Sequence, residues 1–457
     1  MPSRPTARLM WADRHATPPD TLPPRLEAVE VIHGDERPAP NRLLRGDNLA
    51  AMSALLADGL GGQVDLVYFD PPFVSRAEYA QTVVLPDGTA VRRPVFSDTW
   101  ANLDAWLDML YPRLRRVQAL LADHGSLYVH LDWRAVHYAR VLLDEVFGAD
   151  AFRNEIVWKR AALLGRKAAS RQYGRVTDSL LFYTKGDRFT FNRLTVERSV
   201  PRGEARWDEA RGRWFRTAPP GDYTAASLAA LEAEGRIHRT RSGRLRVKYF
   251  LDARPDGRLV DHAPLDNLWL DIPDMMHLPA AERTGYPTQK PLALLQRIVA
   301  VSSNPGDLVL DPFAGAGTTL LAAAGLGRRW LGIEASQAGV AVARARLLAA
   351  DARPFAISRV AGSAEAIASS DAPAFRLSEQ GVDLMGDSAE VEYWAVDWAC
   401  DGEFRSAWQG WRGYGAKGHS LPTRAPAPAE GISGPVAVRW ERLDGREGAL
   451  YLPISPG

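Results

Sequence analysis

Four consecutive residues, Asp70-Pro71-Pro72-Phe73, bring together a carboxylate, two ring-locked backbones and an aromatic face at the end of an apolar run. Each proline fixes φ and removes a backbone donor, so Val64-Asp65-Leu66-Val67-Tyr68-Phe69 cannot continue as a ladder strand beyond Asp70. The Asp70 carboxylate and the Pro71 carbonyl become two acceptors aimed at one point, beside the π face of Phe73. That trio suits the exocyclic amino group of a nucleobase, whose two N–H bonds are held while its lone pair turns toward an electrophile. The alternative is a rigid Pro-Pro turn that merely opens a loop.

A second constellation is Asp311-Pro312-Phe313-Ala314-Gly315-Ala316-Gly317-Thr318-Thr319. It follows an apolar strand and precedes a helix of small residues, and the next strand closes on Glu334. Gly315 and Gly317 let backbone approach a ligand, the helix points its N-terminus at that ligand, and Glu334 can accept both hydroxyls of a ribose. NAD, FAD and S-adenosylmethionine sites share this plan, and a tight strand-to-helix turn is the plainer reading. No GxxxxGK[ST] run occurs, which argues against an ATPase. The single cysteine, Cys400, forms no internal disulfide and is expected to be inert. No Cys/His cluster has zinc spacing, so no metal site is expected.

Such chemistry needs strand ends, and the chain reads as α/β. Strands are expected at 42–47, 64–69, 126–132, 154–159, 178–184, 308–311 and 330–334. Helices are expected at 48–60, 103–122 with a bend at Pro112, 133–147, 320–326 and 337–350, and the turn Thr288-Gln289-Lys290-Pro291 opens another that runs to about 302. Residues 1–40 contain eight prolines and read as an extended arm. After residue 352 the chain turns Ala/Ser/Pro-rich, then alternates at 391–398 and 436–440, which predicts a small β-rich domain with no chemistry of its own.

At 457 residues, 46% hydrophobic and 24% charged, the chain can bury a sizeable core in two or three folding units, and collagen-like, disordered or coiled-coil classes fall away. The formal charge is only +1, so any affinity for a polyanion must come from its distribution. Between residues 153 and 250, 22 Lys plus Arg face 10 Asp plus Glu. Aromatics are interleaved there, as in Arg206-Trp207 and Arg213-Trp214-Phe215-Arg216. Composition alone fits a solvated insert with a satellite core as well as it fits nucleic-acid binding. No signal-peptide core and no run of 18 apolar residues is seen, so a soluble protein not exported by a cleavable signal is expected.

Taken together, the two constellations resemble the amino-methylating DNA methyltransferases. Asp70-Pro71-Pro72-Phe73 is similar to that family's [DNS]-P-P-[YFW] signature, the segment from Asp311 to its cofactor loop, and Thr288-Gln289-Lys290-Pro291 to its methionine-clamping segment. Catalytic motif first and cofactor loop later is the order of the permuted β-class. His130-Leu131-Asp132-Trp133, Leu142-Leu143-Asp144-Glu145-Val146-Phe147-Gly148 and Asn154-Glu155-Ile156-Val157-Trp158 resemble modification (Mod) subunits of type III restriction systems. The resemblance covers roughly residues 41–350 and weakens in the basic insert and the tail.

It implies an α/β fold: a circularly permuted, Rossmann-like sheet dependent on S-adenosylmethionine, with a basic inserted target-recognition region and a small β-rich C-terminal domain. The expected boundaries are 1–40 for the arm, 41–185 for the catalytic half, 186–285 for the insert, 286–355 for the cofactor half and 356–457 for the C-terminal domain. The resemblance assigns catalysis to Asp70, Pro71, Pro72 and Phe73. It sets Asp311, Phe313, Gly315, Gly317, Thr288 and Lys290 around the methionine moiety, Thr318 in the same cofactor set, Glu334 on the ribose and Asp47 near the adenine. Asp47 could equally cap the helix that starts at Asn48. Arg206, Arg213, Arg216, Arg241, Arg244, Arg246 and Lys248 are expected on DNA, divided between phosphates and guanine edges. His130 and Asp132 end a strand at the same edge and could line the base pocket, but a strand-end histidine more often reads as structural, so both stay outside the expected site.

The implied activity is methyl transfer to the amino group of a flipped base in double-stranded DNA, adenine N6 first and cytosine N4 as the alternative. A homodimer, a separate restriction subunit, no membrane and a cytoplasmic, nucleoid-associated location complete the expectation. No helicase or nuclease motif is visible, so the chain would protect DNA rather than cut it. From other classes, a DNA-binding regulator without turnover is opposed by the intact motifs, and a nicotinamide oxidoreductase leaves Asp70-Pro71-Pro72-Phe73 unexplained.

Overall fold

The structure, a computed structural model, describes residues 7–11, 14, 24–32, 41–85, 87–161, 171–352, 354–361, 372–386, 388–412, 420–432 and 434–452. Strands that are apolar on both faces require helices above and below, and the chain supplies them in alternation. β1 (Leu26–Ile32), β2 (Arg42–Arg45), α1 (Asn48–Ala57) and β3 (Val64–Phe69) lead into a hairpin of β4 (Glu78–Val84) and β5 (Ala90–Ser97). Then come α2 (Leu103–Leu120), β6 (Leu121–Leu131), α3 (Val136–Phe147), β7 (Phe152–Lys159) and β8 (Thr177–Thr184). The later half adds the helix Leu292–Ser302, the strand Leu308–Asp311, the helix Thr318–Gly325, the strand Arg329–Glu334, the helix Gln337–Ala349 and the strand Phe355–Val360.

One sheet gathers strands from both halves in the order Leu268–Trp269, β7, β8, β6, β3, Leu308–Asp311, Arg329–Glu334, β2, Phe355–Val360, β1, Arg405–Ser406. Leu310 pairs with Val67 of β3, and Ile333 pairs with Leu44 of β2, all in parallel. The permuted sheet is therefore closed by its latest strands lying between its earliest ones. The chain leaves β3 and Leu308–Asp311 at the same carboxyl edge, where open α/β sheets bind ligands. α2 continues through Pro112 and buries Trp106, Leu110, Leu114 and Val117 beneath that edge.

Some elements have no counterpart in the sequence reading. Within the expected arm, β1 pairs antiparallel with Phe355–Val360. The β4–β5 hairpin hides its period because its buried face carries Gln81 and Arg93, which are 1% and 6% exposed. Arg93 forms a buried ion pair with Glu392, so its charge is answered from 299 residues away. The C-terminal residues form a four-stranded antiparallel sheet around Val391–Asp397 and Val436–Arg442, plus a smaller three-stranded one. They belong to the same compact unit as the large sheet. Arg344 of the helix Gln337–Ala349 makes two hydrogen bonds to Glu441, at 2.7 and 2.9 Å, and lies 3.5 Å over the ring of Tyr393. Burial opposes ionisation of Glu441, but Arg344 and Arg439 overcome it and hold the carboxyl at about 2.

A second compact unit comprises residues 192–266, inside the expected 186–285 insert; residues 267–285 belong to the first unit. It has a four-stranded sheet (Arg206–Asp208, Arg213–Ala218, Leu245–Phe250, Ile237–Arg239), a helix Ala225–Ala233 and a three-stranded sheet. Phe215, Leu231, Val247 and Leu259 are among its buried residues. Among the described residues no helix is long and apolar enough to cross a membrane.

Candidate active site

The end of β3 delivers Asp70 to the sheet edge, and the pairing of Phe69 with Val129 sets it beside His130 at the end of β6. A cavity of about 420 Å3 opens there, large enough for a small-molecule ligand. Its wall includes Asp47, Asp70, Pro71, Pro72, Phe73, Thr288, Lys290, Asp311, Phe313, Gly315, Thr318 and Glu334. Residues as far apart as Asp47 and Glu334 thus converge, and Gly317 is the one member of the expected catalytic and cofactor sets that does not line the wall. Gly317 instead has φ +72 where the helix Thr318–Gly325 begins, and a Cβ on it would stand 2.8 Å from the Ala343 Cβ. Its smallness serves helix packing.

Around the acceptors the hydrogen bonding is uneven. Asp70 Oδ2 accepts from Lys290 Nζ, while Asp70 Oδ1 is buried, lies 4.0 Å from His130 Nδ1 and accepts no hydrogen bond among the described residues. The Pro72 carbonyl accepts from Trp106 Nε1 at 2.8 Å, while the Pro71 carbonyl accepts no hydrogen bond among the described residues. Phe73 presents its ring beside them, 5.7 Å from the His130 ring and 5.2 Å from Lys290 Nζ. Buried polar atoms normally find partners, so two open acceptors beside one aromatic face mark a place for a donor-bearing ligand. Lys290, expected at the methionine moiety, lines the cavity and also pairs with Asp70, a cation for a largely buried carboxylate.

The cofactor side is built from glycine and two buried acids. Gly315 has φ +49, and a Cβ there would come within 3.2 Å of the Tyr286 ring at the cavity wall. Gly315 N donates to Glu334 Oε2 at 2.8 Å, and Ser336 N and Oγ donate to Glu334 Oε1 at 2.8 and 2.6 Å. Burial raises the Glu334 pKa. Burial also pushes Asp311 up to about 7, with Asp70 and Glu334 adding to the rise and hydrogen bonds from Thr319 and Phe313 N opposing it. Two acids whose ionisation burial opposes, behind a glycine turn, fit a ligand that brings hydroxyls and a positive charge, as S-adenosylmethionine does. Thr288 has φ 61, a left-handed conformation unusual for a β-branched residue, at the same wall. Phe313 packs edge-on against Phe69, and Thr318 Oγ1 accepts from Arg346 at 2.9 Å. Asp47 accepts from Ala50 N at 3.0 Å as the cap of α1 and pairs with Arg113, so its carboxylate both caps the helix and faces the cavity.

The sequence reading set His130 aside. In the structure it is fully buried, with Tyr68 Oη 2.7 Å from Nδ1 and Asp178 Oδ2 3.4 Å from Nε2. It therefore backs the Phe73 ring from below. A histidine at a strand end, one pleat from Asp70, was the available signal.

The second unit is less open than its composition suggests. Arg213 pairs with Asp252 at 3.1 Å, Arg216 with Asp261 at 2.5 Å and Lys248 with Asp208 at 2.8 Å. Arg246 donates to Thr217 Oγ1 and carbonyl, and Arg206 to His238 Nε2. Only two of the seven expected DNA-binding side chains, Arg241 and Arg244, carry no side-chain partner among the described residues; both are exposed at the turn joining Ile237–Arg239 to Leu245–Phe250.

A family model described as DNA methylase (N6_N4_Mtase) matches residues 64–344. Among curated proteins, the chain is similar to the type II methyltransferase M.EcaI of Enterobacter cloacae, 29% identical over 322 residues covering 65% of this chain and 67% of that protein. It is 26% identical over 295 residues to the DNA adenine methyltransferase YhdJ of Escherichia coli, covering 64% and 77%. To the StyLTI Mod subunit of a Salmonella typhimurium type III restriction-modification enzyme it is 23% identical over 339 residues, covering 61% of this chain and about half (49%) of that subunit.

Proposed function

This chain belongs to the N6_N4_Mtase family of DNA methylases, and from that premise we propose that it methylates the exocyclic amino nitrogen of a base turned out of double-stranded DNA, adenine N6 ahead of cytosine N4. It is a DNA methyltransferase that uses S-adenosylmethionine. The observation that supports the amino target is the pair of open acceptors, Asp70 Oδ1 and the Pro71 carbonyl, beside the Phe73 ring. An amino group offers two N–H donors in one plane. When both are held, its lone pair is aimed across the cavity toward the glycine turn.

Bound S-adenosylmethionine supplies a sulfonium methyl that is already strongly electrophilic, so positioning carries most of the rate. Turning a base out of the stack costs a few kcal/mol, and stacking on Phe73 offsets about 1–3 kcal/mol of it. As the N–C bond forms and the C–S bond breaks to leave a neutral thioether, the nitrogen becomes tetrahedral and positive beside the Asp70 anion, which Lys290 also pairs, until one N–H proton is lost to solvent. Adenine is favoured because Asp opens the Pro-Pro motif and because YhdJ, named a DNA adenine methyltransferase, is among the relatives. We further read Arg241 and Arg244 as DNA contacts and a second copy of the chain and a separate restriction subunit as partners, with the protein acting beside nucleoid DNA in the cytoplasm. The test is label transfer from methyl-labelled S-adenosylmethionine to unmodified plasmid DNA carrying many sequence contexts. Wild-type protein should label the DNA and Asp70→Ala should not; equal labelling by both would end the reading.

A further inference from the structure

The backbone just beyond the catalytic tetrapeptide is strained. Val74 and Arg76 have φ 62 and 59, a region that non-glycine residues enter at a cost and that a β-branched valine rarely adopts. Such a segment persists only where its surroundings over-determine it. A single side chain does so here. Asp98, 1% exposed and 25 residues after Phe73, accepts from Phe73 N at 3.1 Å, Val74 N at 3.0 Å and Ser75 N at 2.7 Å. Its carboxylate also accepts from Trp100 Nε1 at 2.9 Å. Its backbone completes the clamp, since Arg76 N donates to the Asp98 carbonyl and Asp98 N donates to the Ala77 carbonyl.

These bonds close the β4–β5 hairpin onto the site. The Tyr79 and Phe96 rings stack at 4.6 Å, Tyr79 Oη lies 3.1 Å from Ser75 Oγ, and both rings line the cavity with Phe73. Three consecutive N–H groups converging on one buried carboxylate form a nest, and its first donor is the amide of Phe73 itself. The acceptors of Asp70 and Pro71 are fixed by β3 and the prolines, whereas the Phe73 backbone is fixed on its far side by Asp98.

We propose that Asp98 is a positioning residue for methyl transfer: its carboxylate holds residues 73–76 in their left-handed path, and so keeps the Phe73 ring in register with the Asp70 and Pro71 acceptors. This rests on the amino-methyltransferase reading above. Removing the carboxylate leaves four part-buried donors, three backbone amides and Trp100 Nε1, without that acceptor and Val74 and Arg76 without support. The loop relaxes, and the stacking face leaves the acceptors.

The experiment measures kcat, KM for DNA and cofactor affinity for wild type, Asp98→Ala, Asp98→Asn, and Asp98→Ala combined with Val74→Gly and Arg76→Gly. Asp98→Ala should lower kcat by roughly 30-fold with cofactor affinity within about twofold, since a misplaced reacting group costs up to 10²-fold. Asp98→Asn keeps one acceptor oxygen and should fall between that variant and wild type. Glycine takes φ near +60° freely, so the added glycines should restore most of the lost kcat. Wild-type kcat in Asp98→Ala overturns the proposal, as does failure of the glycines to rescue. Should Asp98→Ala not fold, Asp98→Asn decides: kcat lost with cofactor affinity intact supports positioning, and both lost in step overturns it. Methyl transfer absent from wild type itself would instead fail the underlying reading.

Discussion

The cavity at the sheet edge and the unit of residues 192–266 both drew attention for their functional side chains, and the structure treats them differently. At the edge, Asp70, Pro71, Phe73, Asp311, Gly315 and Glu334 converge on one space, with two acceptors left open. In the unit, Arg213, Arg216 and Lys248 are each met by a carboxylate that lies 39, 45 and 40 residues away in the chain. A motif at a strand end carries its geometry with it, because two prolines and a parallel register dictate where its atoms point. A basic composition carries no geometry, because the acids that neutralise it can come from anywhere in the fold. The unit holds 15 Lys plus Arg against 11 Asp plus Glu, so most of its charge can be spent internally.

Mutations should affect the two regions unequally. The largest effect belongs to the edge: Asp70→Asn removes the anion but keeps an acceptor, and should cut kcat by about 10²–10³-fold with cofactor affinity unchanged, as for other preorganised groups facing developing charge. Single-turnover kinetics would show it, and a loss under tenfold would mean that hydrogen bonding alone suffices. Phe73→Ala should come next, losing about 1–3 kcal/mol of base stacking, roughly 5- to 150-fold in kcat/KM. Its signature is sensitivity to DNA rather than to cofactor concentration.

The acid Asp311 gives a pH test of the same pocket. Its carboxyl titrates at about 7 because it is buried, and its ionised form is the one that attracts a cationic ligand. Cofactor affinity should therefore be flat above about pH 7 and weaken by up to tenfold per unit below it. Calorimetry across pH 5.5–8.5 would show the break, and Asp311→Asn should remove it.

In the unit the expectation divides by partner. Arg241→Ala with Arg244→Ala should weaken DNA binding and reduce the salt slope by about two, one for each phosphate contact, and its released counterion, that is lost. Arg216→Ala, whose charge Asp261 already answers, should shift DNA affinity least and instead cost the unit about 0.2–1 kcal/mol of stability, the usual range for a partly exposed ion pair. Equal effects from both would mean that the ion pairs open when DNA binds.

How much was legible follows the same division. The permuted sheet was readable because its strands are short apolar runs ending in Asp-Pro, Gly-Asp or an acid, and their two halves share one ladder register. Twelve of the 31 residues in the cavity wall come from the two motifs and were readable. Gly317 was not, since only the tertiary fold brings Ala343 against it. The pairing of Lys290 with Asp70 was not, since the two lie 220 residues apart. The β4–β5 hairpin was invisible because Gln81 and Arg93 interrupt its buried apolar face, and Asp98 because its support for Phe73 is a set of bonds to backbone amides. The C-terminal sheet read as a separate domain because the Arg344–Glu441 pair that fastens it to the cofactor half leaves no local trace in sequence.

The central claim is that the atom methylated is an exocyclic amino nitrogen, held by Asp70 and Pro71. Mass spectrometry of nucleosides from plasmid DNA co-expressed with this protein tests it most directly. N6-methyladenine is expected with wild type and not with Asp70→Ala; N4-methylcytosine would keep the amino geometry and change the base. A methyl group found on a ring carbon, as in 5-methylcytosine, would contradict it.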